Sequence, residues 1–160
     1  MPSNGICRGF AFKYGKFLLP PRFLTALSVP KVPTREQLRL YNAEKEVIEK
    51  IAKQGPCVII GRCAASMIPK ENRLSVFIYS DKESTVKRVM KRNQISEKEA
   101  VHRIKHMNRM RKHFYEFYSE TEWGQSESYD MMLSSSKLGI DGCVDVIIDG
   151  LRGMGEMENE

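Results

Sequence analysis

Three short apolar runs limit the fold most. They are Pro56-Cys57-Val58-Ile59-Ile60, Leu74-Ser75-Val76-Phe77-Ile78-Tyr79 and Tyr129-Asp130-Met131-Met132-Leu133. Each is about strand length, and the first two carry β-branched residues. The first fits a strand buried on both faces, as in a parallel sheet, and the other two are further strand candidates. Parallel neighbours must be joined by a long crossover, usually a helix. The text between the runs is helical in pattern, so the expected class is α/β, a parallel sheet flanked by helices.

The helix signals are local. Thr34-Arg35-Glu36-Gln37 fits a capping box, with the apolar positions Leu40, Tyr41, Val47, Ile48 and Ile51 following as a stripe. Gly55 can end that helix. Asp81 is placed to cap a helix running to about Arg92. Ser96-Glu97-Lys98-Glu99 is a second capping box, opening a long basic helix to about Tyr118. A last helix is expected from about Ile140 to Leu151, with Val144, Ile147 and Ile148 apolar. Residues 1–33 hold five prolines and read as an irregular segment, residues 34–152 as the folded domain, and residues 153–160 as an acidic tail.

A chain of 160 residues suits one domain. No apolar run is long enough to span a bilayer, and Pro20-Pro21 interrupts the one apolar stretch near the start that could resemble a leader. Cys7, Cys57, Cys63 and Cys143 have no zinc spacing. They read as reduced thiols, which points to the cytoplasm. The net charge of +6 suits a polyanion, either a nucleotide or a nucleic acid. The basic residues form no dense block and no nucleic-acid-binding signature is present, which argues against nucleic acid.

Ligands of a parallel sheet bind beyond the carboxyl ends of its strands. Gly61 and Arg62 stand at such an end. Glycine permits a sharp turn and close approach, and arginine offers a planar fork of donors that matches phosphate. The long helix carries Arg103, Lys105, Arg109, Arg111 and Lys112. Arg109 and Arg111 do not share a face, but both can reach over a nucleotide from a helix end. His102 and His106 have metal-compatible spacing without the carboxylate of a HExxH pattern, so no metal site is assigned. Trp123 and Tyr129 read as core aromatics. Ser134-Ser135-Ser136 could bond a ligand or cap the following helix.

A triphosphate-binding loop needs G-x-x-x-x-G-K-[ST]. The nearest text, Gly9-Phe10-Ala11-Phe12-Lys13-Tyr14-Gly15-Lys16-Phe17, has one residue too many between its glycines and Phe17 in place of the hydroxyl. It is rejected as a phosphate loop.

Several blocks, in order, resemble the cytidylate kinase-like family. They are Cys57-Val58-Ile59-Ile60-Gly61-Arg62-Cys63-Ala64, Val76-Phe77-Ile78-Tyr79, Lys87-Arg88-Val89-Met90 and Ile95-Ser96-Glu97-Lys98-Glu99-Ala100. Arg109-Met110-Arg111-Lys112-His113-Phe114-Tyr115-Glu116-Phe117-Tyr118, Trp123-Gly124, Tyr129-Asp130 and Ser134-Ser135-Ser136-Lys137-Leu138-Gly139-Ile140 continue the match, over about residues 35–150. The resemblance implies a P-loop-kinase-like fold that moves a phosphoryl group from ATP, with Mg²⁺, to a nucleoside monophosphate, CMP first among them. It implies that Gly61 and Arg62 hold the acceptor phosphate. Arg88 and Arg92 would lie on the ATP side, and Arg109 and Arg111 would neutralise charge on the transferring group.

Two departures shape the expectation. The family begins with a strand and a glycine-rich loop, and the sequence reads as starting after that unit, an N-terminally truncated version of the fold. Ala65 stands where the family often has an aspartate that could orient the arginine. Without the first strand its neighbours would lose a hydrogen-bonding partner. Residues 5–19 or a second copy in a homodimer would have to cover the gap, and the chain would otherwise be marginally stable. The alternative to an enzyme is a non-catalytic module that binds a nucleotide or a partner.

Overall fold

The computed structural model describes residues 34–155. The readings made for Gly9–Phe17, for residues 5–19, for the irregular segment 1–33 and for residues 156–160 lie outside them. Two compact units divide the chain between Asn72 and Arg73.

In the first unit α1 spans Arg35–Ala52. Its start is the expected capping box. The Gln37 amide donates to Thr34 Oγ1 at 3.2 Å, and the Thr34 amide donates to Gln37 Oε1 at 2.8 Å. The apolar stripe is narrower than the sequence suggests. Ile48 is buried and Tyr41 half-buried, whereas Leu40 and Val47 face solvent. Ile48 packs with Ala64 and Met67, and Tyr41, Ile59 and Ile68 lie against that cluster.

The run Cys57–Ile60 corrects an expectation. It forms no ladder with any described residue. Val58 is 65% exposed and Ile60 79%, so the segment is not buried on both faces. The reason is cooperative: an extended run becomes a strand only when a neighbour takes its amides and carbonyls.

The second unit holds a two-stranded parallel sheet of β1 (Val76–Tyr79) and β2 (Met131–Ser134), paired Val76 to Met131 through Tyr79 to Ser134. The parallel pairing expected of an α/β fold is therefore present, in a mixed α/β arrangement. Both strands are shorter than the runs that announced them. Ser75 and Asp130 still clasp one another ahead of the ladder. The Ser75 amide donates to Asp130 Oδ2 at 2.7 Å, and the Asp130 amide donates to the Ser75 carbonyl at 2.9 Å.

Between the strands run α2 (Lys82–Asn93) and α3 (Glu97–Tyr118). Asp81 and Ser96 cap them as expected. The Ser84 amide donates to Asp81 Oδ1 at 2.8 Å, and the Ser96 amide donates to Glu99 Oε2 at 2.9 Å. The two helices pack together, with Val86 of α2 and Ala100 of α3 buried. The final helix, α4 (Ser135–Gly153), covers both strands. Its first turn is interrupted at Gly139, φ 73° and ψ −178°, so the regular helix begins near Ile140 as the sequence suggests. A side chain at Gly150 would overlap Met131, and this close approach lets α4 lie on the sheet.

Phe77 meets Trp123 edge-on at 5.4 Å between centroids and Tyr129 at 4.8 Å. Tyr129 in turn stacks with Tyr115 of α3. Trp123 and Tyr129 are therefore packing residues, as read from the sequence, and they fasten the segment after α3 to β1.

Candidate functional site

Gly61, Arg62 and Cys63 follow the extended segment and all three adopt positive φ, at 76°, 62° and 52°. Glycine accepts this conformation freely, whereas a residue with a Cβ pays about 1 kcal/mol or more. The conformation persists for Arg62 and Cys63 because the turn is tied down on its far side. The Ala64 amide donates to the Gly61 carbonyl at 3.2 Å. The Ser66 amide and hydroxyl both donate to the Cys63 carbonyl, at 2.8 and 2.7 Å. Cys63 and Ala64 are buried beneath. Around Gly61, by contrast, the space a Cβ would occupy is open. The turn thus presents a bare backbone at Gly61 and projects the Arg62 side chain from a strained, fixed base.

That side chain does not wave in solvent. Arg62 Nη1 donates to Glu44 Oε1 of α1 at 2.9 Å, with side-chain exposures of only 18% and 19%. The pairing answers the expectation attached to Ala65, which sits half-buried in the short 3₁₀ turn Ala64–Ser66. A carboxylate does hold the arginine, and it comes from α1 instead. Sequence reasoning missed Glu44, though a signal existed. Tyr41, Glu44 and Ile48 are spaced three and four apart, so Glu44 lies on the apolar stripe itself. A charge on a buried face calls for a partner.

Both charges bear on the Cys63 thiol. Burial pushes it up from 9.0 to about 12, with Arg62 pulling it down and Glu44 pushing it further up. The thiol is therefore protonated at neutral pH and is no nucleophile.

The remaining sequence-predicted residues belong to the second unit. Arg88 and Arg92 lie one turn apart on α2, share a face and are exposed. Arg109 and Arg111 are exposed on α3, and Arg111 Nη1 donates to Asn108 Oδ1 at 3.3 Å. Neither is at a helix end, because α3 continues about two turns beyond Arg111 to Tyr118. Arg88, Arg92 and Arg109 have no ion-pair partner among the described residues.

The serines at the carboxyl end of β2 bond to the end of β1, and Ser134 does not cap the following helix with its side chain. Ser135 Oγ donates to the Tyr79 carbonyl at 2.9 Å, the Asp81 amide donates to Ser136 Oγ at 3.2 Å, and Ser134 and Ser136 hydroxyls meet at 3.2 Å.

Whether these residues suit a nucleoside triphosphate and Mg²⁺ can be asked of the helix N-termini, where an amide cradle would form. Thr34, Asp81 and Ser96 close α1, α2 and α3 with their own side chains, and each first turn carries an acidic residue. The start of α4 breaks after one turn at Gly139. Among the described residues no three His, Cys, Asp or Glu side chains gather as a metal cluster, and no helix is long and apolar enough to cross a membrane. The described residues do not fit a triphosphate cradle.

Residues 16–137 match the family described as cytidylate kinase-like. A solved structure, the crystal structure of an uncharacterized protein from Eubacterium ventriosum, is similar at 32% identity with a TM-score of 0.68, over 83% of this chain and 72% of that one. No curated protein matches.

Proposed function

This chain belongs to the cytidylate kinase-like family, and from that premise we propose that it binds a nucleoside monophosphate, CMP first among them, with Arg62 as the phosphate ligand. The observation that supports the reading is the half-buried Arg62–Glu44 pair on its left-handed turn. A guanidinium carries five N–H donors and Glu44 accepts from Nη1 at one point. The rest of the fork is left for a bidentate grip on phosphate. Because the side chain is already ordered, binding does not have to freeze it. The open space at Gly61 lets the phosphate come close to the backbone.

The reaction proposed for the family member is phosphoryl transfer from ATP to the bound monophosphate. In it Arg109 and Arg111 would neutralise charge on the moving group, and Arg88 and Arg92 would lend charge on the donor side. Exposed cations are not an amide cradle for a triphosphate. The closed helix N-termini favour a second reading, a monophosphate-binding module without turnover.

Titration of CMP against the wild type and Arg62→Ala tests the shared premise. Loss of a charge-assisted, bidentate contact should weaken binding roughly 10- to 100-fold. Equal affinity in the two proteins would refute Arg62 as the ligand. Incubation with CMP, ATP and Mg²⁺ then separates the readings: CDP formation selects the kinase, and binding without CDP selects the module. In the module reading, Arg109→Ala with Arg111→Ala should also weaken nucleotide binding.

A further inference from the structure

Glu44 lies outside every role given above to a ligand-binding residue, yet its Oε1 accepts from the Arg62 guanidinium at 2.9 Å. We infer that Glu44 is a positioning residue that fixes Arg62 for phosphate and at the same time holds down its pull on anions. The inference rests on the reading of Arg62 as the phosphate ligand and deepens it.

Three observations carry it. First, the pair is two-sided and anchored at both ends. Glu44 sits one turn before the buried Ile48 on α1, and Arg62 sits next to the buried Cys63 and Ala64. Ile48 and Ala64 belong to one packed cluster, so the carboxylate and the guanidinium are held by the same small core. Second, the bond is single. One carboxylate oxygen engages Nη1, and a ligand can share the arginine without displacing Glu44. Third, both side chains are about four-fifths covered, where charge interactions are screened less than at the surface.

The consequence is a conflict built into the site. A phosphate that shares Arg62 with Glu44 brings like charges close together across one guanidinium, and such juxtaposition is unfavourable. Replacing Glu44 by glutamine keeps an acceptor of the same shape for Nη1 and removes the negative charge. Glu44→Gln should therefore leave Arg62 in place and tighten its hold on a dianion. A purely structural ion pair predicts no such gain: its removal changes stability and leaves affinity untouched. Glu44→Ala removes the acceptor as well as the charge and should lose the benefit, because Arg62 is then unsupported.

The test is a CMP titration of the wild type, Glu44→Gln, Glu44→Ala, Arg62→Ala and the double variant Glu44→Gln with Arg62→Ala. Glu44→Gln is expected to bind on the order of tenfold tighter than wild type. The double variant should bind no better than Arg62→Ala, since the gain acts through the arginine. Unchanged or weaker binding by Glu44→Gln would overturn the inference, as would a gain that persists in the double variant. Glu44→Ala binding as tightly as Glu44→Gln would remove the positioning half of it. Inorganic phosphate used in parallel should reproduce the ordering, because only the phosphate is shared. If instead Arg62→Ala matches wild type, the underlying reading of Arg62 fails, an outcome distinct from the others. The near-isosteric Glu44→Gln change keeps the hydrogen bond, and its melting curve beside wild type confirms that folded proteins are compared.

Discussion

Cys63 offers a direct check on the turn that carries Arg62. Its thiol is pushed from 9.0 to about 12, chiefly by burial. Alkylating reagents attack the thiolate, so the reactive fraction of Cys63 at pH 8 should be about a thousandth of that of an ordinary cysteine in the unfolded chain. Steric cover slows the reaction further, because the residue is only 6% exposed. Iodoacetamide labelling of the native protein, read site by site by mass spectrometry, should modify the half-exposed Cys57 long before Cys63. In denaturant the two should converge. Variants give the sign. Glu44 raises the Cys63 pKa, so Glu44→Gln should speed labelling. Arg62 lowers it, so Arg62→Ala should slow labelling. Native Cys63 reacting as fast as Cys57 would refute the packing of the turn against α1, and with it the anchored base proposed for Arg62.

Two further outcomes are expected. Gly61→Ala meets no steric obstacle but must hold φ near 76°, so chemical denaturation should show a loss of about 1 kcal/mol, with no loss if the left-handed turn is wrong. The Asp81 carboxyl is held down to about 2 by the Ser84 amide first, then by the Ser136 and Ser84 hydroxyls. A lowered folded value means that its stabilisation is complete above 3.8 and is lost as pH falls through about 2. The melting-temperature advantage of wild type over Asp81→Asn should therefore close between about pH 4 and pH 2, and a gap that stays constant would contradict it.

The helices were legible because their starts are written in neighbouring residues. Thr34 with Gln37 and Ser96 with Glu99 close reciprocal bonds three residues apart, and Asp81 needs only Ser84. The regular part of α4 was expected from about Ile140, but the preceding turn from Ser135 and its break at Gly139 were not. Cys57–Ile60 was not legible, because its apolar, β-branched text states a preference and the ladder depends on a partner elsewhere in the chain. At the site, Gly61 announced a turn, but nothing local announced that Arg62 and Cys63 would share its left-handed conformation. That arises from the bonds to Ala64 and Ser66 and the cover over Cys63. Glu44 could have been found by asking why a charge interrupts the Tyr41–Ile48 stripe. The bonds of the serine trio were not legible because their partners, Tyr79 and Asp81, are more than fifty residues away in sequence.

The capped starts of α1, α2 and α3 bear on how residues 34–155 can meet an anion. With one first-turn amide of each taken by Thr34, Asp81 and Ser96, and an acidic side chain in each first turn, attraction there rests chiefly on guanidinium and ammonium groups at the ends of long side chains. Such charges are felt over a range that shrinks with added salt, to about 8 Å at physiological ionic strength. Capture of a nucleotide by these residues should fade as buffer salt rises, and the half-sheltered Arg62 should be the last of them to let go.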